Sequence, residues 1–159
     1  MPLDVTNTIW PWLFPLTYLL HIAEEYWGGD GYTAYLSRTK GVDLTSRRFL
    51  FMTGVGLALM IVGIPLAYTF KFPQLLMVIL GTVFLVNGVS HTISAVLTAR
   101  YNPGLLTGIL IWIPLGIVTL VQLRDRMSAA RYLTAVAGGV AIQVVVSLLS
   151  LKGGRLFRA

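Results

Sequence analysis

Five apolar runs dominate the chain, separated by short polar breaks: Thr8 to Trp27, Phe49 to Phe70, Gln74 to Ala99, Gly104 to Gln122 and Tyr132 to Leu151. A helix rising about 1.5 Å per residue crosses a hydrocarbon core of about 30 Å in roughly 20 residues, so each run is predicted to span a membrane. The expected architecture is all-α: a polytopic integral membrane bundle of five transmembrane helices, forming one domain over residues 1–159. Three of the four connections are short, as between antiparallel neighbours. The exception, 28–48, opens with Gly28, Gly29 and Gly31, then sets Tyr32, Tyr35 and Leu36 at helical spacing beside Arg38 and Lys40. That pattern suits an interfacial cytoplasmic connection lying in the headgroup layer, either a tether or a cover over a cavity.

Composition agrees: 56% of residues are hydrophobic and 11% charged, with mean hydropathy +0.78, which argues against a water-soluble domain. The net charge of +6 comes from 12 Lys and Arg against 6 Asp and Glu. These cations lie between and after the apolar runs, which points to lipid headgroups and topology instead of nucleic acid. Arg38, Lys40, Arg47, Arg48, Arg100, Lys152, Arg155 and Arg158 fall on one side, against Lys71, Arg124, Arg126 and Arg131 on the other. The positive-inside rule therefore places the first and third connections and the C-terminus in the cytoplasm, with the N-terminus outside. Asp4 precedes the first run, no Lys or Arg does, and no small-x-small site follows, so this run is expected to remain in the mature protein. Trp10, Trp12, Tyr26 and Trp27 are expected at headgroup level. Recurrent glycines, including Gly54, Gly63, Gly81, Gly88, Gly104, Gly108, Gly138 and Gly139, are expected to permit close helix packing.

The informative residues are the ionisable ones inside apolar runs, because each costs a few kcal/mol there. His21, Glu24 and Glu25 stand at i, i+3 and i+4 in the first run, with Thr17 one turn earlier. Asn87 and His91 stand at i and i+4 in the third, followed by Ser94 and Thr98. The topology puts both groups in the cytoplasmic half at similar depth, with Arg100 to Gly104 capping the same layer. There are no cysteines, so disulfides, Cys-ligated zinc and iron–sulfur clusters are excluded, and any metal must use His, carboxylate or carbonyl ligands.

His21-x-x-Glu24-Glu25, Asn87-x-x-x-His91 and Tyr101-x-Pro103-Gly104 together resemble the bacterial and archaeal integral-membrane family named for its HXXEE motif. The resemblance covers most of the chain, and all three motifs are intact. It implies an enzyme only by the position of polar motifs in or beside membrane helices, and it implies no reaction.

Two imidazoles and a carboxylate suit zinc, iron or manganese, giving His21, Glu24, Glu25 and His91 as candidate ligands. The carboxylate not used as a ligand would serve as general base, and Asn87 would orient substrate or hold an imidazole. Such a site fits a hydrolase or oxidoreductase acting on a lipid-soluble substrate, with Arg100 and Tyr101 gripping a headgroup at the rim. The established di-iron pattern needs more than the two Glu of this chain. Alternatives are a metal-free His and Glu acid–base isomerase, a b-type haem held by His21 and His91, or a non-catalytic bundle binding lipid or a partner. The plainer readings are interfacial carboxylates at the end of a helix, interhelical hydrogen bonds for Asn87, Ser90, His91 and Ser94, and a tight turn at Tyr101 to Gly104. Gln143, Ser147 and Ser150 read as packing contacts, and Arg124 to Arg126 as a solvated loop.

Overall fold

A computed structural model describes residues 7–156, with side chains as far as Lys152. Asp4, Arg158 and the side chain of Arg155, used above to read the orientation, lie outside the described residues. A 3-10 turn, Trp10–Trp12, leads into α1, Leu13–Trp27. Then follow α2, Tyr32–Lys40, α3, Ser46–Thr69, α4, Pro73–Thr98, α5, Leu105–Arg126, and α6, Ala129–Leu156. No strand occurs among the described residues.

Four of these helices, α3 to α6, are long and apolar enough to cross a membrane. The first run differs from its expected span over 8–27, because α1 has only 15 residues, about 22 Å of rise. The cause is local. Asn7 Oδ1 accepts from the N–H groups of Ile9 and Trp10, and Pro11 sits in the 3-10 turn, so the α-helix starts only at Leu13.

The other helix ends follow from backbone chemistry. Thr45 Oγ1 accepts from Arg48 N–H at the start of α3, and Pro73 opens α4, where its missing N–H costs nothing. Both α3 and α4 end with the paired reversed bonds of a Schellman motif: Phe72 N–H to Ala67 and Lys71 N–H to Tyr68, then Arg100 N–H to Ala95 and Ala99 N–H to Val96. The left-handed residues are Lys71 (φ 60°) and Ala99 (φ 48°), where glycine would avoid about 1 kcal/mol of Cβ strain. Ala99→Gly is therefore expected to raise the denaturation midpoint in detergent; a lowered midpoint would contradict this.

Helix α4 is the axis of the bundle, packed against both α5 and α6. Its Met77, Val78 and Phe84 meet Trp10, Phe14 and Trp112 in the main core. Some of the glycines do permit close approach: a Cβ on Gly88 would stand 2.9 Å from the Gly108 carbonyl, and one on Gly139 would stand 2.7 Å from Thr82 Cβ. Gly54, Gly63 and Gly138 do not, since a Cβ on any of them would meet nothing within 4 Å. Trp10 is packed into the bundle. Its ring is buried and its indole N–H donates to Thr119 Oγ1 at 2.9 Å, which offsets the cost of taking that donor out of water. Trp10→Phe is expected to cost about 1 kcal/mol, measured by unfolding in detergent.

The connection 28–48 is packed. Tyr35 and Leu36 of α2 are buried with Leu44 and Phe49, and Tyr35 OH bonds Ser94 Oγ at 2.9 Å and Thr98 Oγ1 at 3.2 Å. The polar stripe of α4 thus anchors α2 across its end.

Candidate metal centre

Residues seven and four apart share a helix face, and α1 accordingly buries Phe14, His21 and Glu25 together against the bundle. Glu24 is rotated from that face towards the start of α5. Opposite, α4 presents His91, buried like His21 and Glu25. Helix α5 contributes through an irregularity: Pro114 has no N–H for the Leu110 carbonyl, and the preceding turn, Gly108–Trp112, widens into a π-helix. That turn carries Trp112 into the core, where its ring stacks on His21 with centroids 3.7 Å apart.

Glu25 Oε1 lies 3.4 Å from His91 Nε2 and 3.7 Å from His21 Nε2. Ligands bound at about 2.0 Å around a tetrahedral zinc stand about 3.3 Å apart, so these separations are close to the edges of such a site. His21, Glu25 and His91 offer donor atoms that all lie within 4.8 Å of one another, a group able to hold a metal ion. His21 Nε2 has no hydrogen-bond partner.

Proton counting shows why. Glu24 accepts four hydrogen bonds: Tyr101 OH at 2.6 Å and Leu106 N–H at 2.9 Å on Oε1, then Thr107 N–H at 2.7 Å and Thr107 Oγ1 at 2.5 Å on Oε2. Thr107 has one hydroxyl proton, and the carboxylate takes it. At 2.7 Å from His21 Nδ1, the same oxygen must then accept, so Nδ1 carries the imidazole proton and Nε2 bears the lone pair. The lone pair of His21 Nε2 thus faces Glu25 Oε1 at 3.7 Å. Tyr101 is a neutral phenol and donates; desolvation, and then the bond to the Glu24 carboxylate, push its pKa up. Tyr101→Phe is expected to remove one of four donors and weaken metal retention by less than about tenfold in a chelator competition.

The turn at Asn102 to Leu105 closes the site. Leu105 N–H returns to the Asn102 carbonyl at 2.9 Å, with Pro103 at the second position and Gly104 at the third, φ 95° and ψ −6°. The tight turn read from the sequence is present, and it is of type II over Asn102 to Leu105. Gly104 does more than turn the chain. A Cβ there would stand 2.7 Å from His91 Cε1 and 2.8 Å from His21 Cε1, so its backbone lies directly against both imidazoles.

A family model described as "Protein of unknown function with HXXEE motif" matches residues 12–119, more than half of the chain. The chain belongs to the HXXEE family. No curated protein and no solved structure matches it. The matched range holds every residue of the site just described. In this HXXEE protein the motif divides its work: His21 and Glu25 face the centre with His91, while Glu24 braces the α5 start.

The other expected site residues fall in different places. Asn87 lines a cavity of about 360 Å³ together with His21, Glu25 and His91, and its Oδ1 is buried without a partner. Arg100 is exposed, whereas Tyr101 points its hydroxyl at Glu24. Thr17 turns back to the Leu13 carbonyl and takes no part. Gln143 and Ser147, read as packing contacts, bond each other and also line the cavity. Tyr32, read from the sequence only as part of the 28–48 connection, has its ring 5.6 Å from His91; Thr107 and Trp112 are not among the residues read from the sequence. Thr107 carries a signal in the sequence, as a hydroxyl one turn after the Pro103-Gly104 turn.

Proposed function

We propose that this HXXEE protein is a metal-dependent membrane enzyme acting on a lipid-soluble substrate, with His21, Glu25 and His91 as ligands. The observation that carries the reading is the convergence of three buried donor atoms, at 3.4 and 3.7 Å, on the wall of a largely apolar cavity. Phe51, Val55 and Leu59 of α3 and Val146 and Leu149 of α6 line its far side, and all five are exposed on the apolar flank of the bundle. A second chamber of about 90 Å³ shares Tyr32, Asn87, His91, Gln143 and Ser147 with it and continues to Ser90, Ser94 and Lys40. An apolar chain on one side and a polar head on the other would thus meet at His91. In the proposed orientation, α1 and its 3-10 turn complete a fifth crossing, the N-terminus is outside, and the centre and the C-terminus lie on the cytoplasmic side.

A divalent cation there would polarise a substrate oxygen or acidify water, as a hydrolase or oxidoreductase requires. Glu24, saturated by four donors, acts through Thr107 to hold the His21 tautomer, and so takes the positioning role in place of a ligand's. Asn87 Oδ1 is available to accept a bond from substrate, and Arg100 to meet a headgroup at the rim. Haem fits poorly, since the Glu25 carboxylate stands 3.4 and 3.7 Å from the two Nε2 atoms that would face the iron and would set a negative charge against it. The metal-free acid–base reading draws on the 3.4 Å His91 to Glu25 approach, and one comparison tests both. Wild type and Glu25→Gln, each with and without chelator, are incubated with a total lipid extract and profiled by mass spectrometry. The expected result is a set of lipids altered by wild type alone and spared by chelation; identical profiles for wild type and Glu25→Gln would contradict catalysis, and conversion insensitive to chelation would favour the metal-free pair.

A further inference from the structure

The cations that oppose the positive-inside count are gathered at the other end of the bundle. Lys71 in the α3 to α4 turn, Arg126 at the end of α5 and Arg131 in the first turn of α6 line one cavity of about 450 Å³. Tyr68 and Gln74 add polar groups, and no carboxylate lines it: Asp125, in the same turn as Arg126, stays outside. None of the three cations has an ion-pair partner among the described residues. The start of α4 borders the same space. Its N-cap Phe72 supplies no side-chain bond, so the N–H groups of Gln74 and Leu75, both at the cavity, have no helical acceptor.

A second observation comes from the backbone. Lys71 holds a left-handed conformation, φ 60°, at the Schellman position where glycine is the unstrained choice. Ala99 holds the same position at the end of α4, so the strain is not particular to this cavity; its use here is that Lys71→Gly removes the cation at no cost in backbone strain.

We infer that this cavity binds a phosphate-bearing anion, gripped by Lys71, Arg126 and Arg131 and by the N–H groups at the start of α4. The ligand chemistry is that of an anionic phospholipid headgroup or of free phosphate, and the two sources separate in titration. The cavity is distinct from the His and Glu centre and shares no residue with it.

The full chain in non-ionic detergent is titrated with short-chain phosphatidylglycerol, with phosphatidylcholine and with inorganic phosphate, using wild type, Lys71→Gly, Arg126→Gln and Arg131→Gln. Each lost cation is expected to weaken phosphatidylglycerol binding about fivefold, with phosphatidylcholine binding weak and unchanged. Inorganic phosphate showing the same dependence on the three cations without a phosphatidylglycerol preference supports the site with free phosphate as its source. Lys71→Gly should be at least as stable thermally as wild type while binding less, which separates a ligand contact from a folding role. Equal binding by all four proteins, no binding of either anion, or a Lys71→Gly protein that loses binding together with stability would overturn the inference.

Discussion

Gly104→Ala is expected to weaken metal binding at the proposed centre more than any other single-methyl change. The added carbon would lie 2.7 and 2.8 Å from the two imidazoles, closer than carbon atoms pack, and the rings must move apart. Since φ at Gly104 is 95°, a left-handed Ala adds about 1–2 kcal/mol of backbone strain. Displacement of both imidazoles should weaken metal binding by at least about tenfold to hundredfold, the range for lost support around a metal ligand. Competition with a fluorescent chelator measures the first effect and detergent unfolding the second. Wild-type affinity in Gly104→Ala would show that the imidazoles do not depend on this contact.

The second large effect belongs to Thr107. Thr107→Val keeps the shape but leaves His21 Nδ1 without an acceptor and Glu24 Oε2 without its hydroxyl donor. The buried Nδ1 left unpaired costs about 1–3 kcal/mol, while Glu24 Oε2 keeps the Thr107 N–H. The His21 tautomer is then no longer fixed, and a proton on Nε2 would exclude a cation. Metal affinity should fall about tenfold to hundredfold, while Thr107→Ser, which keeps the hydroxyl, should restore most of it. If Val and Ser behave alike, the hydroxyl plays no part in the tautomer. The imidazole nitrogen resonances in isotope-labelled protein read the tautomer directly, and only Thr107→Val should move them.

The four long helices were legible because a run of about 20 apolar residues leaves few alternatives. The shorter start of α1 was not, since it depends on Asn7 reaching back to two main-chain N–H groups. At the centre, i and i+4 spacing placed His21 with Glu25, and the depth argument brought His91 alongside. Spacing could not separate Glu24 from Glu25. The difference lies in what each meets: the main-chain N–H groups of Leu106 and Thr107 meet Glu24, and two imidazoles meet Glu25. Gly104 was readable as a turn residue but not as the floor beneath two rings. Trp112 was hidden for a related reason, because a π-helical turn breaks the 3.6 period on which a helical face is read. Pro114 is the local signal that the period fails there.

Metal content tests the centre most directly. Protein purified without a histidine tag, exchanged against metal-free buffer and loaded with zinc, iron or manganese, is analysed by inductively coupled plasma mass spectrometry beside His21→Ala, Glu25→Gln and His91→Ala. Retention of about one equivalent of one metal by wild type, and near-complete loss in all three variants, is the predicted result. Wild type that retains none of the three metals, or variants that retain as much as wild type, would contradict the proposed centre.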